Sequence, residues 1–310
     1  MTAAARPHPL HDPGRAWREA NCSVDLWIEL LHHLDLEPTA ALGSAVRLDF
    51  EGDQYTFWKI PSTDLEQLFG IEVVELSVWR PLLRHAEEQL RRGRVVMPEV
   101  DAWWLPDTHG VSYRVEHAKT AIALRRLDVA ARQLDYFHNA GAWSLEGEDF
   151  DGLFAPPPLP PYTEIAKLDR LVRLPTAQLV TRARELLRYH LSRRPARSPV
   201  AAHRVRMEAD LAWLREEPAA FHGHAFNTGR QLGACFELLG SHLRWLGAHG
   251  GDGGAAAAAA CDEIAATAKA LQFAVARIAH NRREVALETF FDRLDAAWHD
   301  VMRELEATHA

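Results

Sequence analysis

A run of prolines near the middle of the chain constrains the fold more than any other feature. Ala155-Pro156-Pro157-Pro158-Leu159-Pro160-Pro161 holds five prolines in seven residues. Proline lacks a backbone N–H and has a fixed φ, so such a run favours an extended polyproline segment over the interior of a helix or a sheet. We therefore predict a stiff linker at 156–161, between a first domain at 1–155 and a second at 162–310.

Hydrophobic periodicity differs on the two sides of this run. Before it, a helix is predicted from Ser23 to Leu34, shorter helices at 64–69 and 78–91, and strands at 94–100, 117–124 and 133–138. After it, helical spacing dominates, with helices expected near 176–192, 200–216, 220–248, 255–281 and 284–307 and a glycine-rich turn at Gly247 to Gly254. The predicted fold is α+β: a helix with an antiparallel sheet, followed by an all-helical bundle.

Composition narrows the classes of function. The 310 residues carry a net charge of -8, which disfavours nucleic acid as a partner. Met1 to Leu10 lacks the apolar core of a secretory signal, and no apolar stretch is long enough to span a membrane. The three cysteines, Cys22, Cys235 and Cys261, show neither disulfide nor metal spacing. We expect a cytoplasmic protein with no metal, and its oligomeric state stays open.

Cys22 is the cysteine best placed for chemistry. It follows Asn21 at the predicted start of a buried helix, where a thiolate is stabilised by the partial positive charge of the helix N-terminus. A packed core thiol is the plainer interpretation of one cysteine, and it holds for Cys235 and Cys261 on apolar helical faces.

Partners for Cys22 are expected from the predicted hairpin. His117 opens its first strand, Asn139 closes its second, and Asp128 lies midway in the turn. Antiparallel pairing about Asp128 would bring His117 and Asn139 side by side, whereas a slip in register would bring Asp135 or His138 there instead. A nucleophile, a base and an orienting group form the arrangement used in cysteine acyl transfer.

This order of residues resembles the papain-like fold. Val100-Asp101-Ala102-Trp103-Trp104-Leu105-Pro106, followed by His117, is similar to the N-terminal domain of the butirosin-biosynthesis protein H family. Over about residues 10–305 the chain more closely resembles an uncharacterised bacterial family, domain of unknown function 1839. The segments that carry this resemblance are Asn21-Cys22-Ser23-Val24-Asp25-Leu26-Trp27, Phe50-Glu51-Gly52-Asp53-Gln54, Tyr136-Phe137-His138-Asn139-Ala140-Gly141 and Arg230-Gln231-Leu232-Gly233-Ala234.

The resemblance implies a papain-type acyltransferase. Cys22 would be the nucleophile, His117 the general base and acid, and Asn139 the orienting group. Papain-like enzymes place an oxyanion-binding glutamine shortly before the cysteine, and no glutamine precedes Cys22 here. Asn21, Gln54 or backbone N–H groups would have to take that role.

Further residues are candidates for binding. Asp101 would support His117, hold a substrate ammonium or cap nearby backbone, and Trp104 and Tyr113 would line an acyl pocket or pack in the core. Around the start of the helix at 220–248, the candidates for substrate binding are His222, Asn227 and Arg230. Arg230 would bind the phosphate of a phosphopantetheine arm, or else form an interdomain salt bridge.

The expected activity is transfer of an acyl or aminoacyl group from a thioester, borne by an acyl carrier protein, to a small amine in natural-product biosynthesis. No cofactor is expected beyond the phosphopantetheine arm of the donor. Two alternatives stay open: a cysteine peptidase or amidase, and a non-catalytic papain-fold partner in a biosynthetic assembly. The acyl donor and the acceptor are not readable from the sequence.

Overall fold

A computed structural model describes residues 6–250, 254–281 and 285–309, and it divides into two compact units. The first consists of Met1–His11, Asn21–Pro38 and Pro61–Leu174, and the second of Asp12–Ala20, Thr39–Ile60 and Pro175–Ala310. The first unit is an antiparallel sheet with helices, and the second is helical. The chain is thus a mixed α+β protein, with a sheet domain followed by a helical region, as predicted.

An antiparallel sheet forms the centre of the first unit. Its strands are β1 (Glu72–Glu75), β2 (Val95–Asp101), β3 (Lys119–Ala121), β4 (Ala123–Asp128), β5 (Gln133–His138), β6 (Gly141–Glu146) and β7 (Thr163–Lys167). The order across the sheet is β1-β7-β2-β4-β5-β6, and β3 pairs with β2 beside this path. The helices of the unit are α1 (Cys22–His33), α2 (Ser62–Phe69), α3 (Leu82–Arg91) and α4 (Glu148–Leu153).

The sheet separates α1 from an apolar core cluster of the unit. Tyr136 on β5 is fully buried in a core cluster that includes Ala86 of α3. The next residue, Phe137, contacts the ring of His33 on α1, with ring centroids 5.2 Å apart. Successive side chains of a strand point to opposite faces, so α1 and this core cluster lie on opposite faces of the sheet.

The proline run does not separate the two units, which corrects the predicted boundary. β7 comes after the run, yet it pairs with both β1 and β2 in the sheet of the first unit. The boundary lies between Leu174 and Pro175, and two segments of the predicted first domain, Asp12–Ala20 and Thr39–Ile60, belong to the helical unit. Periodicity is a local signal, whereas strand pairing and unit membership are set by contacts between distant residues.

The second unit contains α5 (Thr176–Leu191), α6 (Pro199–Glu216), α7 (Phe221–Ala225), α8 (Gln231–Ala248), α9 (Ala255–Asn281) and α10 (Glu288–His309). α8 packs against α9, and α9 packs against α10. The helix predicted at 220–248 is interrupted by a π-helical turn at Phe226–Arg230. The predicted glycine-rich turn falls partly outside the described residues, because 251–253 are not among them. Of the helices in the described ranges, none combines the length and apolarity that a membrane span needs.

Candidate functional site

The ends of two paired strands bring Asp101 and His117 together. β2 ends at Asp101, which pairs with Lys119 at the start of β3. Just beyond this pair, the N–H of Ala102 donates to the carbonyl of Ala118 over 2.8 Å. The loop between the strands therefore begins and ends at one place. This closure puts the two side chains next to each other although they are sixteen positions apart in the sequence.

His117 and Asp101 form a hydrogen-bonded pair. Nδ1 of His117 lies 2.6 Å from Oδ2 of Asp101, and Oδ1 of Asp101 accepts the N–H of Trp103 over 3.0 Å. The imidazole stacks on the Trp103 ring, with centroids 4.6 Å apart and the planes 14° from parallel. The carboxylate favours the Nδ1–H tautomer, which leaves a lone pair on Nε2. Nε2 has no protein partner within the described ranges, and the side chain is 72% exposed.

This pair lines a cavity of about 940 Å³. Two more charged residues from the same strands line it, Glu99 and Lys119, and their side chains form an ion pair of 2.8 Å. The apolar part of the wall is formed by Val78, Trp79, Pro81, Leu82, Val100, Trp104, Ala118, Leu153, Phe154, Ala155, Pro156, Pro157, Pro158, Leu159, Pro160 and Pro161. Trp104 lines this cavity, and Asp101 contacts His117, which is one of the three roles considered for it. That the cavity binds an acyl group stays a prediction.

The Trp104 ring is held between polar and backbone groups. The guanidinium of Arg114 lies 4.4 Å from its ring centroid, and a Cβ placed on Gly152 would come within 2.3 Å of its atoms. Arg114 is paired through Nη2 with Asp149 at 2.5 Å, and the same carboxylate accepts the hydroxyl of Tyr113 over 3.0 Å. Tyr113 therefore supports the wall from behind and is not itself a lining residue.

Cys22 is the first residue of α1, as predicted, and Asn21 is the N-cap. Oδ1 of Asn21 accepts the N–H groups of Ser23 and Val24, each over 3.1 Å. Cys22 is partly buried and does not line the cavity. No hydrogen bond joins Cys22 to His117 in the part of the chain that the structure describes. The helix start is confirmed, and a catalytic role for Cys22 stays a prediction.

The predicted pairing of His117 with Asn139 is wrong. The segment 117–124, predicted as one strand, contains β3 and the start of β4. β3 pairs with β2, whereas β4 pairs with β5, where Ala123 is opposite Phe137. Asn139 lies in the turn between β5 and β6 with a φ of 47°. β3 and β4 both pair with β2, and Asn139 lies beyond the end of β5, so the residue that contacts His117 is Asp101 and not Asn139.

A second histidine network, centred on His138, was not predicted as such. Nδ1 of His138 lies 2.6 Å from Oδ2 of Asp107, and Nε2 lies 2.8 Å from the hydroxyl of Thr120. The hydroxyl of Tyr136 donates to the other oxygen of Asp107 over 2.5 Å. Burial, the charge of Asp107 and this hydrogen bond raise the pKa of Tyr136. From the sequence, His138 was expected near the site only if the register of the hairpin slipped. In the structure its network is buried and separate from His117.

The other predicted site residues make structural contacts in the second unit. The carbonyl of Gln54 accepts the N–H of Glu51 over 2.7 Å, in a turn. Asn227 donates its side-chain amide to the carbonyl of Gly223 over 2.9 Å. Nε of Arg230 donates to the carbonyl of Ala20 over 2.9 Å, and its guanidinium lies 3.6 Å from Glu19. This salt bridge lies within the second unit, whereas the predicted alternative was an interdomain one. The ring of His222 packs edge-on against Phe221.

Two further observations concern clusters of metal-ligating side chains and the other two cysteines. No group of three or more His, Cys, Asp or Glu side chains that would hold a metal ion occurs in the described ranges. Cys235 and Cys261 are fully buried, and burial raises the pKa of the Cys261 thiol. Both cysteines therefore lie in the core, as predicted.

Comparison with protein families identifies the chain. The DUF1839 N-terminal domain matches residues 6–168, and the DUF1839 C-terminal domain matches residues 176–307. The chain therefore belongs to the DUF1839 family. The gap between the two matches, 169–175, agrees with the boundary of the compact units at Leu174. A search of curated proteins finds no match.

Proposed function

We propose that this member of the DUF1839 family transfers an acyl or aminoacyl group from a thioester to an amine, with His117 as the general base. The observation that carries the proposal is the 2.6 Å contact between His117 and Asp101 at a 940 Å³ cavity. A histidine on a cavity wall, with Nδ1 held by a carboxylate and Nε2 without a partner among the described residues, has the arrangement of a general acid–base.

The proposed step needs only the groups at this cavity and the two substrates. Nε2 of His117 takes a proton from the attacking amine as its nitrogen forms a bond to the thioester carbonyl. The C–S bond then breaks, and the same proton passes to the leaving thiolate. Asp101 holds the imidazole in the required tautomer and stabilises the imidazolium that forms. The donor would be an acyl chain on the phosphopantetheine arm of a carrier protein, in accordance with the resemblance to papain-like acyltransferases.

A direct attack by the amine fits the lining of the cavity better than a covalent route. No Ser, Thr or Cys is among its lining residues in the described part of the chain. A second candidate route rests on the position of Cys22 at the N-terminus of α1. In that route Cys22 carries the acyl group between donor and acceptor, and His117 serves both half-reactions.

Mutation of His117 tests the proposal. With a panel of acyl and aminoacyl thioesters and amines, we expect His117→Ala to lower thiol release by about 10²- to 10⁴-fold. Asp101→Asn should also lower it and alter the pH profile, since the amide no longer selects the Nδ1–H tautomer. His109→Ala is the matched control, because His109 is an exposed histidine of the same loop.

Intact mass spectrometry of Cys22→Ala separates the two routes. Direct transfer predicts no acyl adduct on the wild type and full turnover in this variant, whereas the covalent route predicts an adduct that the variant loses together with turnover. Equal rates for His117→Ala, His109→Ala and the wild type would contradict the proposal as a whole.

A further inference from the structure

The cavity beside His117 has walls of two kinds. Glu99, Asp101 and Lys119 come from the β2–β3 pair, and His117 lies just before β3. Two other segments, 78–82 and 152–162, contribute mostly apolar surface, with Arg80 as an exception. A ligand that places its reacting group at His117 therefore has apolar wall available for the remainder.

The Trp104 ring is a fixed part of this wall. Arg114 covers it at 4.4 Å, and Gly152 fits against it so closely that any side chain there would displace the ring. Arg114 itself has a φ of 56°, a left-handed conformation that is unfavourable for a residue with a side chain. The strained backbone therefore belongs to Arg114, the residue whose guanidinium packs on Trp104.

Trp79 provides an apolar surface that is largely open. Its side chain is 76% exposed, more than any other tryptophan among the described residues. It lies on the cavity wall, with the guanidinium of Arg80 5.1 Å from its ring centroid. An apolar ligand in the cavity would remove part of this ring from water, which favours binding.

From these features we infer that the cavity binds the acyl group of the donor, and that this group is an apolar chain or an aryl group longer than acetyl. The inference rests on the proposed function. A volume of about 940 Å³ is at the upper end of the range of about 300–1,000 Å³ for ligand pockets, so it exceeds the needs of an acetyl group. Along the wall formed by the prolines, Leu153 and Phe154, away from Glu99 and Asp101, a charged aminoacyl side chain would lose hydration without gaining a partner, so this wall disfavours it.

Binding of inert thioethers tests this inference without any turnover. The probes are S-octyl-, S-ethyl- and S-(3-aminopropyl)-pantetheine, measured by calorimetry. We expect the wild type to bind the octyl probe at least about tenfold more tightly than either of the others. Trp79→Ala and Gly152→Ala should abolish this preference, the first by removing apolar contact and the second by displacing Trp104. Trp213→Ala should keep it, because Trp213 is a half-exposed tryptophan of the helical unit.

The outcomes separate this inference from the proposed function. Equal binding of the three probes, tighter binding of the aminopropyl probe, or a preference that survives in both Trp79→Ala and Gly152→Ala would overturn the inference. Because Trp79 is exposed, its variant should fold even if Gly152→Ala does not, and circular dichroism verifies this. An octyl preference in a protein that shows no His117-dependent transfer would uphold the acyl-binding cavity and contradict the proposed reaction.

Discussion

A buried histidine near the N-terminus shows how single residues tie the first unit together. His11 is 2% exposed, with Nδ1 2.5 Å from Glu29 and Nε2 3.3 Å from Asp25, both on α1. Burial alone would lower the pKa of His11, but the hydrogen bonds and charges of these two carboxylates raise it to about 9. A protonated imidazole thus lies between two buried acids within two turns of Cys22.

This pair of contacts predicts that stability falls as pH rises. The pKa of His11 in the folded protein, about 9, exceeds the usual value of about 6.5. The contribution of its protonated form to the free energy of unfolding is therefore complete below pH 6.5 and is lost as pH rises through 9. We expect urea unfolding to show a loss of about 3 kcal/mol in the free energy of unfolding between pH 6.5 and pH 9.5. The variant Glu29→Gln, which removes one of the two charges, should show a smaller dependence on pH. A wild-type free energy that is constant across this range would contradict the assignment.

At the scale of the element, α1 depends on its N-cap. Asn21 is buried, and its Oδ1 accepts two N–H groups that the helix itself leaves without partners. The same side chain is the candidate oxyanion donor beside Cys22. The cap uses the carbonyl oxygen of the amide, whereas an oxyanion hole would use its N–H groups. Substitutions can therefore distinguish the two roles.

We expect Asn21→Ala to lower the free energy of unfolding by about 1 kcal/mol, because the cap is lost. Asn21→Asp should remain within about 0.5 kcal/mol of the wild type, since a carboxylate also caps and is favoured at a helix N-terminus. Denaturant unfolding measures both variants. If Asn21→Asp is stable but loses acyl transfer, the amide is an oxyanion donor; full activity would restrict Asn21 to capping.

At the scale of the molecule, the helical unit is completed by residues from the start of the chain. Trp17 is buried, and its indole N–H donates to the carbonyl of Ala265 over 2.9 Å. The backbone N–H groups of Ala16 and Trp17 donate to the carboxylate of Glu237 on α8. A Cβ on Gly233 would come within 2.3 Å of the Trp17 ring. The segment Asp12–Ala20 is therefore a structural part of this unit.

Removal of the indole should destabilise the helical unit strongly. We expect Trp17→Ala to lower the free energy of unfolding by about 3–5 kcal/mol, through lost burial and the cavity that remains. Chemical denaturation followed by circular dichroism measures this change. Trp213→Ala, at a half-exposed site of the same unit, should change it by about 0.5 kcal/mol or less. Similar small effects for both variants would show that Asp12–Ala20 does not stabilise the helices.

Sequence patterns alone determined the features that depend on neighbouring residues. The helical repeat predicted α1 and α5 nearly to their ends. The predicted strand at 94–100 agrees with β2, and a hairpin was expected where β4 and β5 pair. These signals are readable because hydrophobic periodicity and capping act over a few residues.

Only the tertiary structure decided which distant segments meet. It showed that β3 pairs with β2, so that Asp101 rather than Asn139 contacts His117. It also placed β7 in the first unit despite the proline run before it. A strand offers the same backbone groups to any partner, and the choice among partners depends on the burial of whole faces. The sequence of one segment alone therefore does not determine its partner. The contact of His117 with Asp101 results from the pairing of β3 with β2.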